Sequence, residues 1–259
     1  MKIIKTKNFE LATVSEGSTD ASKLAIVIPG RLDTKDYANN PSHIKFLASR
    51  GYFALSFDPP GTWDSPGGIE LFTTTNYIKA VDELIEYFGN RPTVLMGHSR
   101  GGTVTMLAGP KNLHVTHLVS VNSSHGGPID VDVPVPGETR ISYRDLPPGT
   151  TRTKEQKQFD LPYHYFEDGK KYDALDGLKD CTKPKLFFYG AKDELSTPGR
   201  VRRMYDVSAQ PKMIHELNTE HDYRLHPEII KEVNRVLGEF LEKYPAGDNL
   251  TPAPNLDAI

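Results

Sequence analysis

The stretch Val94-Leu95-Met96-Gly97-His98-Ser99-Arg100-Gly101-Gly102 constrains this chain more than any other. A short apolar run enters a Gly-x-Ser-x-Gly turn and leaves through residues 102–108, which suit the start of a helix. Glycine two places on either side of Ser99 is what a very sharp strand-to-helix reversal requires, because a side chain at 97 or 101 would collide with the neighbouring strand or helix. Such a turn strains its central residue and lifts the serine hydroxyl clear of the sheet. Alone the motif is weak: at average Gly and Ser usage a chain of this length shows it by chance with a probability on the order of 0.1. Its surroundings decide what it means.

Those surroundings alternate. Residues 24–28 form a continuous apolar, β-branched run that stops at Pro29-Gly30, the pattern of a strand covered on both faces. Residues 41–50 then have helical spacing at Ile44, Leu47 and Ala48 and end at Gly51. Strand and helix repeat through 52–57, 69–88, 93–96 and 102–108, and further strands are expected at 117–121, 185–189 and 212–217. Helices are expected at 198–207 and 227–243, the latter with Ile230, Val233, Val236, Leu237 and Phe240 on one side. Residues 2–6 and 9–15 read as an edge hairpin. This order implies an α/β fold, a mostly parallel sheet with helices on both faces, whose chemistry belongs at the carboxyl ends of the strands.

Three reactive side chains sit there. Ser99 follows one strand, Asp193 follows 185–189 through Gly190-Ala191-Lys192, and His221 follows 212–217 through Asn218-Thr219-Glu220. The order Ser, Asp, His, the Gly190-x-x-Asp193-x-x-x-x-Pro198 segment and a histidine shortly before the closing helix resemble the α/β-hydrolase family from the first strand to the last helix. The small cap and the Gly-His-Ser-x-Gly-Gly turn resemble bacterial carboxylesterases, including those acting on feruloyl esters.

The resemblance implies a serine hydrolase of soluble carboxylic esters that works through an acyl-enzyme. Ser99 would be the nucleophile, His221 the general base and then acid, and Asp193 the residue that orients the imidazole. The oxyanion would take backbone N–H groups from Arg100 and from the loop after the first strong strand, at Arg31. This chemistry calls for no cofactor and no metal. A serine peptidase or thioesterase would use the same three residues, and a binding protein without turnover would keep the pocket. Asp130 is an outside candidate for the acid; Asp222 and Glu194 flank the chosen histidine and aspartate. His98 is expected to pack inside the turn and His226 to be structural or exposed.

One departure concerns the oxyanion loop. Many relatives carry His-Gly where this chain has Pro29-Gly30, so the histidine that helps to hold that loop is absent. The segment Asp58-Pro59-Pro60-Gly61-Thr62-Trp63-Asp64-Ser65 resembles the family's Asp-x-x-Gly-x-Gly-x-Ser loop and brings Trp63, the only tryptophan, toward the expected pocket rim.

Residues 126–182 interrupt the alternation with proline, charge and aromatics and read as a cap inserted in a core formed by 1–125 and 183–243. Its Phe159, Leu161, Tyr163, Tyr165 and Phe166 either wall the pocket or anchor the cap; with Trp63 and His125, Tyr163 and Tyr165 are the pocket candidates. Residues 244–259 read as a disordered tail. A net charge of −3 with interspersed signs in 259 residues argues against a nucleic-acid or anionic-membrane partner and leaves a small-molecule ester as the expected one. A lone cysteine, Cys181, and the lack of a signal-like or membrane-spanning run point to a cytoplasmic protein.

Overall fold

The computed structural model describes residues 1–126 and 133–245. Eight strands form one sheet in the order β1-β2-β4-β3-β5-β6-β9-β10. The hairpin β1 (Lys2–Lys5) and β2 (Glu10–Glu16) is antiparallel and lies at one edge. From β4 (Tyr52–Phe57) onward all neighbours are parallel: β3 (Lys23–Ile28), β5 (Thr93–His98), β6 (Val115–Val121), β9 (Lys185–Gly190) and β10 (Lys212–Leu217).

Period-two alternation inside the apolar runs explains why both faces are covered. Leu24, Ile26, Leu95, Leu118 and Phe187 enter one core, while Ala25, Val27, Val94, Met96, Val119, Leu186 and Phe188 enter the other. The first core is closed by α2 (Thr74–Tyr87), α3 (Arg100–Ala108) and α6 (Pro198–Val207), and the second by α1 (Asn39–Ser49) and α7 (Pro227–Lys243). In α7 the buried Ile230, Val233, Leu237, Phe240 and Leu241 repeat at the three- and four-residue spacing of one helical face.

The chain runs from β3 outward to β4 and then returns to place β5 on the other side of β3. The loops after β3 and β5 therefore diverge at a topological switch point, where an open parallel sheet has its natural crevice.

Three expectations are corrected. The helix expected over 69–88 is two pieces, a short 3-10 turn at Ile69–Leu71 and then α2, because Thr73 takes extended backbone and its side chain caps α2 by accepting from the Asn76 N–H. The interval between β6 and β9 holds regular elements that its composition does not announce: the antiparallel pair β7 (Thr139–Asp145) and β8 (Gln156–Pro162), then α4 (Tyr163–Gly169) and α5 (Leu175–Lys179). The chain is also still anchored at Tyr244, whose ring packs on Phe240 and whose carbonyl accepts from His117 Nε2 at 2.5 Å. The rest of the expected tail, 246–259, lies outside the described residues.

Candidate active site

At the end of β5 the backbone reverses within one residue. Ser99 has φ 51° and ψ −120°, a left-handed conformation that costs a non-glycine residue on the order of 1–3 kcal/mol. The surroundings impose it: the Ser99 N–H donates to the Val121 carbonyl at 2.9 Å, and its own carbonyl accepts from the Thr103 N–H at 3.1 Å and from Ser123 Oγ at 2.8 Å. A Cβ on Gly97 would fall on the Gly101 carbonyl group, and one on Gly101 would fall on the carbonyls of Ile28 and Pro29. Both glycines are thus required by close backbone approach.

The structure brings Ser99, His221 and Asp193 together from three separate loops. His221 Nε2 is 2.8 Å from Ser99 Oγ, and His221 Nδ1 is 2.8 Å from Asp193 Oδ2. The other oxygen, Asp193 Oδ1, accepts the N–H groups of Leu195 and Ser196 at 2.8 Å each. Burial by itself would raise the Asp193 carboxyl. The hydrogen bond and charge of His221, with the two N–H groups, outweigh burial and hold it below the ordinary aspartate range.

Beside these three residues lies a second histidine–aspartate contact that the sequence reading missed. His98 is buried, with Nδ1 3.4 Å from Asp33 Oδ2 and Nε2 3.0 Å from the His221 carbonyl. Asp33 Oδ1 in turn lies 3.4 Å from Arg144 Nε, on β7. Burial favours neutral forms for both partners, but their mutual contact prevails: His98 is raised and Asp33 lowered from their ordinary pKa values. No local pattern announces Asp33; only the fold carries the loop after β3 against the end of β5.

The loop after β3 is pinned without the family's usual histidine. Asp33 N–H donates to the Gly30 carbonyl at 3.2 Å, closing a turn in which Leu32 takes φ 60°. Tyr77 Oη donates to the Pro29 carbonyl at 2.7 Å, Arg144 to the Arg31 carbonyl at 2.8 and 3.0 Å, and Trp63 Nε1 to the Leu32 carbonyl at 2.8 Å. Asp58 Oδ1 accepts from Thr34 Oγ1 at 2.8 Å and the Lys35 N–H at 2.9 Å, tying the loops after β3 and β4 together. Every carbonyl of this turn that matters is held, which leaves the N–H groups of Arg31 and Leu32 without a protein acceptor among the described residues.

A cavity of about 880 Å³ opens above Ser99 and His221, and its walls include Arg31, Asp33, Arg100, Arg144, Lys192 and Arg224. Tyr143 and Leu195 supply its only large apolar side chains among the described residues. The four pocket candidates from sequence are placed elsewhere. Trp63 packs edge-on against Tyr37 and Phe159; Tyr165 is buried and stacked on Phe72. Tyr163 hydrogen-bonds Glu167 within α4, and His125 meets Asp173 at 3.1 Å where the insertion rejoins the core. The aromatics fill the seam between insertion and sheet because that is where they remove the most apolar area from water. The wall that remains is charged.

Of the competing residues, Asp222 engages Arg152 at 3.1 Å, His226 meets Glu220 at 2.9 Å, and Glu194 is exposed on the cavity wall. Asp130 lies outside the described residues. Cys181 is buried in the first core. No helix among the described residues is long and apolar enough to cross a membrane.

A family model described as the alpha/beta hydrolase fold matches residues 25–153. Palmitoyl-protein thioesterase ABHD10, mitochondrial, of Mus musculus is 23% identical over 205 residues, covering 77% of this chain and 68% of its own length. Est1E from Butyrivibrio proteoclasticus, solved with ferulic acid bound, superposes with a TM-score of 0.76 at 17% identity over 95% of this chain and 100% of its own. Alpha/beta hydrolase domain-containing protein 10 from mouse superposes with a TM-score of 0.71 at 18% identity, over 93% and 98%. Such identities speak to the fold. The sheet order, the strained serine turn and these matches together show that the chain has the α/β-hydrolase fold.

Proposed function

We propose that the protein is a serine hydrolase that cleaves carboxylic esters through an acyl-enzyme on Ser99. The observation that carries this reading is the continuous path from Ser99 Oγ through His221 to Asp193, with 2.8 Å at each contact, built on a backbone held under strain. A serine hydroxyl is a weak nucleophile until a base removes its proton during attack. His221 Nε2 takes that proton as Oγ bonds to the substrate carbonyl carbon, and Asp193 holds Nδ1–H and stabilises the imidazolium that forms. The carbonyl oxygen becomes an oxyanion facing the N–H groups of Arg100, at the start of α3, and Arg31. Collapse breaks the bond to the leaving oxygen, which receives the proton from His221. Water then repeats the sequence on the acyl-enzyme and releases the acid.

A second reading has its own support. The curated relatives are named as palmitoyl-protein thioesterases, and a thioester meets the same three residues. The polar cavity wall disfavours burying a long alkyl chain, which needs an apolar lining, so the thioester version of this proposal concerns short or polar acyl groups. Labelling with a fluorophosphonate, followed by rates on aryl esters of graded acyl length, acyl thioesters and aminoacyl amides, separates the readings. We expect labelling at Ser99 and esters fastest. Thioesters or amides outrunning esters would reassign the substrate, and no labelling would leave a binding protein.

A further inference from the structure

Two arginine side chains beside Ser99 have no task in the reaction just described. Arg31 and Arg100, invoked above only for their N–H groups, both line the cavity with their side chains. Arg144 and Arg224 in the same cavity are committed, the first to the Arg31 carbonyl and Asp33, the second to Asp145 at 2.6 Å and to the Gly149 carbonyl. No hydrogen bond or ion pair holds the guanidinium of Arg31 or of Arg100 among the described residues. The carboxylates on that wall are engaged by other groups, Asp33 by His98 and Arg144, Asp145 and Asp222 by Arg224, Glu220 by His226; Glu194 is exposed.

Arg100 is only 8% exposed, and a charge so deeply buried is costly unless something compensates it. The partial compensation visible is aromatic: its guanidinium lies over the Tyr165 ring at 6.0 Å from the centroid. Among the described residues Tyr165 Oη is itself buried with no hydrogen-bond partner, and so is Thr74 Oγ1. Arg100 Nη2 and Thr74 Oγ1 lie within 3.9 and 3.8 Å of the Cβ position of Gly169, so they face the same small space. Burial lowers the pKa of Arg31, Tyr165 opposes it, and the charges of Arg144, Arg100 and Arg140 lower it again, a local surplus of positive charge. Two guanidinium groups thus line one cavity beside Ser99 with no acceptor holding them among the described residues, a donor pair suited to an anion.

We propose that Arg31 and Arg100 form a subsite for an anionic group of the substrate, so that the preferred substrates are esters or thioesters carrying a carboxylate, such as half-esters of short dicarboxylic acids. The carboxylate sits either in the acyl part or in the leaving part. This inference rests on Ser99 being the nucleophile.

Four aryl esters test it: 4-nitrophenyl hemiglutarate and its neutral methyl ester, and the butyrate of 3-carboxy-4-nitrophenol beside that of 4-nitrophenol. We expect the wild-type protein to favour one anionic ester over its neutral counterpart by at least about tenfold in kcat/KM. The member of the set that wins tells the acyl from the leaving-group position. In Arg31→Met and Arg100→Met the ratio of anionic to neutral rates falls toward one, and Arg100→Lys restores part of it. Fluorophosphonate labelling of each variant reports whether Ser99 and His221 remain assembled. Neutral esters matching or beating both anionic ones in a labelled wild-type protein would overturn the subsite alone, as would a preference that survives both methionine variants. Absence of labelling in the wild type removes the reaction itself, and the subsite with it. Should either methionine variant fail to fold, glutarate competition against the neutral ester decides: protection supports the subsite and no competition overturns it.

Discussion

Two histidine–aspartate contacts stand side by side in this protein, with the rings of His98 and His221 5.0 Å apart at their centroids, and they are arranged for different ends. In His221–Asp193 the far ring nitrogen faces the Ser99 hydroxyl at 2.8 Å. In His98–Asp33 it faces the His221 carbonyl at 3.0 Å, a backbone acceptor that cannot react. The same residue types therefore form the proposed proton relay in one place and a brace in the other, decided by what the second nitrogen meets. The brace touches the backbone of His221 on one side and Arg144, which holds the Arg31 carbonyl, on the other. It links the proposed base to the proposed oxyanion loop.

Removing the relay should cost the most. Ser99→Ala is expected to abolish fluorophosphonate labelling and to lower kcat on the order of 10⁶-fold, read against a control for background hydrolysis. Asp193→Asn should keep the geometry but lose the tautomer, lowering kcat on the order of 10⁴-fold. Asp130→Ala serves as its partner experiment, and a collapse of kcat there with Asp193→Ala still active would move the acid to Asp130.

Breaking the brace should cost less activity and more stability. For Asp33→Asn we expect kcat to fall about 10- to 100-fold through misplacement of His221 and the loop after β3, with a stability loss of about 3 kcal/mol from leaving His98 without its acid. Denaturant unfolding and steady-state kinetics on one preparation measure both. The pH dependence has a defined sign. His98, raised in the fold, contributes fully below the ordinary histidine range and loses its contribution as pH rises through its folded value. Asp33, lowered in the fold, contributes above the ordinary aspartate range and loses its contribution as pH falls through its depressed value. Equal pH profiles of unfolding for wild type and Asp33→Asn would show that the contact is not a brace.

A buried histidine away from both contacts, His43, sharpens the contrast through the pH dependence of stability alone. Among the described residues His43 has no acid partner, only Asn234 Oδ1 at 2.6 Å and Tyr223 Oη at 2.8 Å, so burial prevails and pulls its pKa to about 4. The neutral ring stabilises the fold above the ordinary histidine value near 6.5, and that stabilisation is lost as pH falls toward 4, about 3 kcal/mol in all. In His43→Gln the stability measured between pH 6.5 and 4 should decline less steeply than in the wild type.

What the sequence disclosed follows from how local each signal is. The strands at β3, β5, β6 and β9 are legible because both faces are covered and the apolar run is unbroken, and the loops after β5, β9 and β10 could be searched for Ser99, Asp193 and His221 once the alternation was clear. The hairpin β7–β8 was illegible: Thr139–Asp145 carries charge and exposed apolar residues such as Ile141 and Tyr143, so no face stands out. The pocket candidates misled for a related reason. Aromatic residues in an insertion announce burial, and whether they bury against a substrate or against the sheet depends on packing that no spacing records. Asp33 and the side chains of Arg31 and Arg100 take their meaning from neighbours brought in by β7, α3 and α4.

The hydrogen bond from Trp63 Nε1 to the Leu32 carbonyl has a practical consequence. Since the chain contains one tryptophan, all indole emission comes from a ring that is fastened to the strained turn after β3, touches Phe159 of the inserted hairpin and lies 5.0 Å from the Lys157 ammonium. Its fluorescence is a single-site reporter on the joint between hairpin and sheet. A shift on adding substrate would register movement of that joint in real time, without any label.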